Sequence, residues 1–117
     1  MNQLLHHFQE QRPWGNFEQF TLNEISTVKI ITVETGQAFS LQKHKKRSEF
    51  WKVLGGEGFV THGDQREPVE IGKLYRLPQG SLHRMESTTS PIIFLEVALG
   101  DFDENDIERL EDNYGRS

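Results

Sequence analysis

The sequence predicts an all-β fold, a small barrel or jelly roll finished by one short C-terminal helix. Short runs rich in β-branched and aromatic residues recur along the chain, and glycines mark turns between them at Gly36, Gly55-Gly56, Gly63, Gly72 and Gly80. Helical spacing shows in the tail, where Ile107, Leu110 and Tyr114 follow Asp103, Glu104 and Asp106 and precede Gly115. Acidic groups there meet the positive end of a helix, expected over 103–113, and the glycine stops it.

In chain order, residues 1–11 read as a flexible lead-in in which Leu4, Leu5 and Phe8 can form a short stripe. Residues 12–117 form a single domain. Arg12-Pro13-Trp14-Gly15 is a rigid turn, and Phe17 and Phe20 flank a first strand. Residues 27–33 (TVKIITV) read as a buried strand, and residues 59–62 as another before the hairpin turn at Gly63-Asp64. Short strands follow near 69–71 and 74–77. Pro91 then opens IIFLEVAL, whose Glu96 is its one charge; it faces out, pairs with Lys29, or serves a pocket.

At 117 residues the chain is one domain with room for one core. It has no cysteine, which removes disulfides and thiolate metal sites and agrees with a cytoplasmic setting. The formal charge of −5 argues against nucleic acid. No run approaches the ~20 apolar residues of a membrane span, and the first eleven residues lack the pattern of a signal peptide. A small open barrel leaves sheet edges and an apolar face, so a homodimer is expected.

Chemistry concentrates in two stretches. Residues 36–56, GQAFSLQKHKKRSEFWKVLGG, place Gln42 and His44 on one face of a strand, because side chains two apart project the same way. A turn then allows Glu49 to open the next strand beside them. Residues 72–87, GKLYRLPQGSLHRMES, supply His83 after a Pro-x-Gly turn. Two nitrogen and two oxygen donors, Gln42, His44, Glu49 and His83, suit a divalent cation of the Zn, Mn, Fe or Co class.

Read as spacing, the stretches are G-x5-Q-x-H-x4-E-x6-G and G-x5-P-x-G-x2-H-x3-S. This resembles the paired signature of the cupins, with Gln42 in place of the first histidine and Ser87 in place of the final asparagine. SLQKHKKRSEFW, RPWGNFE and ENDIERLEDNYGR further resemble segments of type II phosphomannose isomerases, the C-terminal domain of bifunctional mannose-1-phosphate guanylyltransferases. The resemblance spans about residues 12–116. It implies a cupin-type double-stranded β-helix and a metal-dependent enzyme that interconverts mannose 6-phosphate and fructose 6-phosphate through an enediol.

On that reading the metal acts as Lewis acid, and Arg47 anchors phosphate or stabilises an oxyanion. Lys46 stands where the family pattern ends H-x-H, and it becomes a base only if its pKa is lowered. Phe50 stands where the family pattern has the histidine of E-H-W. Arg109 and Arg116 face solvent or reach a ligand. No glycine-rich nucleotide loop occurs, so this segment alone is not expected to make a nucleotide sugar. Two other classes remain beside the isomerase: a metal-bound cupin that binds a sugar phosphate or protein without turnover, and an iron cupin with oxygenase chemistry.

Overall fold

The computed structural model describes residues 3–100, 103 and 105–111. Among the described residues, nine strands make up the regular structure: β1 (Phe8–Arg12), β2 (Gly15–Gln19), β3 (Ser26–Val33), β4 (Leu41–Lys43), β5 (Arg47–His62), β6 (Gln65–Pro68), β7 (Leu74–Leu77), β8 (His83–Gly100) and β9 (Glu108–Glu111). β1 and β2 pair as a hairpin around Pro13-Trp14, so the segment read as a lead-in carries strand from Phe8 onward. The remaining seven form one sheet, ordered β6-β5-β8-β4-β9, with β3 also on β8 and β7 also on β5. No described helix is long and apolar enough to cross a membrane.

Two long strands organise this sheet. The first half of β5 pairs with β7 and with the end of β8; its second half pairs with β6 and with the start of β8. β8 likewise holds β3 along residues 92–99 and meets β4 at His83. Rolling both strands encloses Val33, Trp51, Val53, Val60, Tyr75, Leu77, Met85, Ile92 and Phe94. The all-β expectation therefore holds.

The bend falls at the motif glycine Gly56, whose φ of 99° lies in the left-handed region that side chains resist. Register shifts between Val53 and Gly58 mark the same place. A Cβ at Gly56 would lie 2.0 Å from the carbonyl oxygen of Pro91, so glycine is required by proximity as well as by conformation.

Three local expectations are corrected. The C-terminal helix is absent from the described part of 103–113; residues 104, 112 and 113 lie outside the described residues. Glu108–Glu111 is instead a strand that pairs with β4, because β4 offers unmet backbone groups that a strand satisfies and a helix does not. In a strand, Ile107 and Arg109 share one face, while Glu108 and Leu110 are exposed. β3 is buried on one face only: Val33 is buried and faces the core with Ile31, whereas Val28 and Ile30 on the other face are 57% and 60% exposed. The strand expected near 69–71 lies earlier, as β6, set by the two-residue turn at Gly63-Asp64.

Candidate metal centre

Alternation along β5 directs Glu49, Trp51 and Val53 inward and Phe50 to the opposite face. Phe50 is buried there in a separate apolar cluster with Val97 and Leu99. Across the sheet, Trp51 stands opposite Glu96, and Glu96 opposite Lys29. Gln42 stands opposite His83. The inner face thus carries polar groups at one end and grades into Val53 and Phe94 at the other.

His44, Glu49 and His83 converge and are each at most 3% exposed. One ligand atom from each lies within 4.8 Å of the others. His44 Nε2 is 3.5 Å and His83 Nε2 3.4 Å from the two Glu49 oxygens. The rings of His44 and His83 are 4.8 Å apart, and His83 meets Trp51 edge-on. His44 Nδ1 donates to the Asp106 carbonyl at 2.5 Å, which leaves the Nε2 lone pair directed at Glu49 and His83.

The decisive observation is at His83. Its Nε2, the nitrogen that faces Glu49, is buried and has no hydrogen-bond partner among the described residues. A buried acceptor without a partner is unfavourable, and a metal ion is the group that this nitrogen, the Nε2 of His44 and a Glu49 oxygen would satisfy together. The donor set therefore fits a divalent cation. Gln42, the fourth expected ligand, lines an adjoining cavity that it shares with Glu49, with its Nε2 donating to the carbonyl and Oγ of Ser40. That orients the amide by its nitrogen and leaves Oε1 as its donor atom for a metal.

Electrostatics agree with a site prepared for a cation. Burial, then the neighbouring His44, lowers the His83 pKa to about 3, and burial lowers that of His44; both rings are neutral at pH 7. Burial raises Glu49 against the opposing effect of Arg47. Burial and the Glu49 charge push Glu96 to about 7. Glu96 accepts from Trp51 Nε1 at 3.1 Å and shares a hydrogen bond with Glu49. Of its three open roles, Glu96 does not face out: it lines the pocket, where its cross-strand neighbour Lys29 also acts on its charge.

Arg47 lines the cavity but is buried and committed. Its Nε donates to Glu49 Oε2 at 2.9 Å, its Nη1 to the Asp103 carbonyl at 3.0 Å, and its Nη2 lies 3.3 Å from His44 Nε2. It serves as the counter-charge of Glu49 rather than as a cation at the pocket mouth. Guanidinium and metal ion compete for the same lone pairs. Lys46 is exposed in the turn, and it is not among the residues lining the cavity.

Two contributors come from the tail. The Asp106 carboxylate accepts the amides of Lys45 and Lys46 at 2.9 and 2.8 Å, which fixes the turn between His44 and Arg47. Burial would raise its pKa, but those amides together hold it below the ordinary value. Arg109 reaches the cavity from β9. The signal for both was the tail's resemblance, which includes Asp106 and Arg109.

The chain as a whole matches a known family. The family model described as "Mannose-6-phosphate isomerase C-terminal" matches residues 1–112. The chain belongs to this family. The family's cupin fold is seen in the similarity to a cupin protein from Bacteroides fragilis, 23% identical, with a TM-score of 0.59 over 64% of this chain and 65% of that one. The xanthan biosynthesis protein XanB of Xanthomonas campestris is 36% identical over 95% of this chain and 24% of its own length. The mannose-1-phosphate guanylyltransferase ManC of Salmonella typhimurium is also 36% identical, over 95% and 24%.

Those names correct the isomerase expectation. The relatives are named for guanylyl transfer and for polysaccharide biosynthesis, and this family member spans about a quarter of their length. The geometry gives a physical reason. Lys46 lies outside the cavity, Phe50 is on the far face of the sheet, and Arg47 is bound to Glu49. A family name marks the shared domain and does not by itself carry an activity to each member.

A pH dependence follows for the metal-free protein. An unfolded histidine takes up a proton near 6.5, whereas folded His83 refuses it until about 3. Its contribution is full above pH 6.5 and is lost as pH falls toward 3. Glu96 acts oppositely: it holds a proton up to about 7 when folded and to 4.5 when unfolded, so its contribution is present below 4.5 and lost as pH rises through 7. Comparing wild type with His83→Leu removes the common Glu96 effect. The wild type should lose up to ~1.4 kcal/mol more per pH unit between 6.5 and 3. Parallel curves in urea unfolding would show that His83 does not resist protonation.

Proposed function

We propose that this chain is a divalent-metal cupin domain that binds phosphorylated mannose within an enzyme of mannose-phosphate metabolism. The observation that carries the reading is the buried Nε2 of His83, without a hydrogen-bond partner among the described residues, facing Glu49 beside His44. His44, Glu49 and His83 hold the ion, with Gln42 beside them; the donors favour the Zn, Mn, Fe or Co class. The bound ion supplies Lewis acidity toward sugar oxygens. Trp51 and Phe39 shape the inner wall, and Glu96 retains a hydrogen-bonding proton near neutral pH. The mannose class is supported by the family and by the relative named for mannose 1-phosphate.

The test is calorimetry with mannose 1-phosphate and mannose 6-phosphate on metal-loaded and chelator-treated protein. The expected result is about one divalent ion per chain and binding of a mannose phosphate only when the ion is present. Metal-loaded protein that binds neither phosphate would refute the reading.

A further inference from the structure

In the cavity beside the metal centre, about 180 Å³, one buried guanidinium nitrogen has no hydrogen-bond partner among the described residues. Arg109 enters it from β9 at the level of Gln42. Its Nε is buried and has no hydrogen-bond partner among the described residues. The two carboxylates of the cavity are held elsewhere, Glu49 by Arg47 and Glu96 by Trp51. A guanidinium keeps its charge at any accessible pH, and a buried charged donor without a partner is unfavourable.

The charge count points the same way. Among the described lining residues, Lys29, Arg47 and Arg109 face Glu49 and Glu96, a surplus of at least one positive charge before a metal ion adds two more. The component that balances this set is an anion. The planar fork of Arg109 matches a phosphate with two parallel hydrogen bonds. β9 is also pinned in place: it pairs with β4, Glu108 meets Lys43 at 3.4 Å, and Asp106 just before it binds the turn at Lys45 and Lys46.

We infer that Arg109 is the specificity-determining anchor for the phosphoryl group of the ligand, carried on a strand laid across the cavity. This rests on the reading of the site as one for phosphorylated mannose, and it adds the residue that selects the phosphorylated form.

The experiment compares metal-loaded wild type, Arg109→Lys, Arg109→Gln and Glu108→Gln by calorimetry with mannose 6-phosphate, mannose 1-phosphate, inorganic phosphate and mannose. Arg109→Gln should weaken the preferred mannose phosphate about 30-fold, and Arg109→Lys less, since charged hydrogen bonds carry most of the preference. Glu108→Gln, which loosens the strand without touching the cavity, should stay within about twofold. In wild type, the Nε–H resonance of Arg109, assigned by its loss in Arg109→Lys, should shift with the bound phosphates and not with mannose. That readout does not need Arg109→Gln to fold. Wild-type binding with an unmoved resonance overturns the inference and leaves the site reading intact. Equal losses in Arg109→Gln and Glu108→Gln also overturn it, because Arg109 would then act only by holding the strand. No phosphate binding by wild type removes the site reading and the inference together.

Discussion

Gly56→Ala is expected to abolish cooperative folding. The added Cβ would sit 2.0 Å from the Pro91 oxygen and 2.6 Å from Ile92 Cα, backbone atoms of β8 that cannot step aside without breaking the β5–β8 pairing. The φ of 99° adds strain of ~1–3 kcal/mol for a residue with a side chain. Together these exceed ~4 kcal/mol, a large part of the 5–15 kcal/mol that stabilises a typical domain. Gly36→Ala is the control. Its φ of 76° carries similar strain, yet nothing lies within 4 Å of the new Cβ, so it should cost ~1 kcal/mol and keep a sharp urea transition. If the two variants unfold at similar urea concentrations, close approach is not why glycine stands at 56.

The sequence already displayed the strands whose character is local. The β-branched run of β3, the turn at Gly63-Asp64 and the apolar run within β8 each follow from their own residues. His44 and Glu49 were legible as well, because a period of two and a short turn bring them together, whereas His83 on β8 was joined to them by the paired signature that resembles the cupins. Parity along β5 also places residue 50 opposite Glu49, so a histidine replaced by Phe50 is no loss to the cavity.

What was not legible depends on a distant partner. Ile107 and Leu110 satisfy a helical spacing, while Ile107 and Arg109 satisfy a strand, and four residues are too few to choose. The unmet edge of β4, more than sixty residues earlier in the chain, decides the matter. That choice swings Arg109 into the cavity and puts Asp106 on His44 and the following turn. The orientation of Arg47 is nonlocal too, because the Asp103 carbonyl that receives it belongs to the same tail.

His83→Leu should separate a metal ligand from a structural histidine. In the metal-free protein His83 Nε2 is buried without a partner among the described residues, so an apolar side chain at this position removes an unfavourable burial. Its unfolding free energy should therefore match or exceed that of wild type at pH 7, the smaller packing against Trp51 offsetting part of the gain. Metal affinity should fall at least ~100-fold, further than for Asp106→Ala, which keeps the backbone carbonyl that orients His44 and removes only the carboxylate that fixes the turn at Lys45 and Lys46. Wild type at a metal concentration 100 times its Kd gains ~2.7 kcal/mol from binding, and His83→Leu should gain almost none. Glu49→Ala should lose metal equally but for a different apparent cost: it strands the buried Arg47 guanidinium and destabilises the metal-free protein by ~3–5 kcal/mol. Metal analysis after dialysis, with urea unfolding of each variant with and without metal, distinguishes these outcomes. A metal-free His83→Leu protein ~2 kcal/mol less stable than wild type, with metal content unchanged, would make His83 a packing residue and leave the centre without its third ligand.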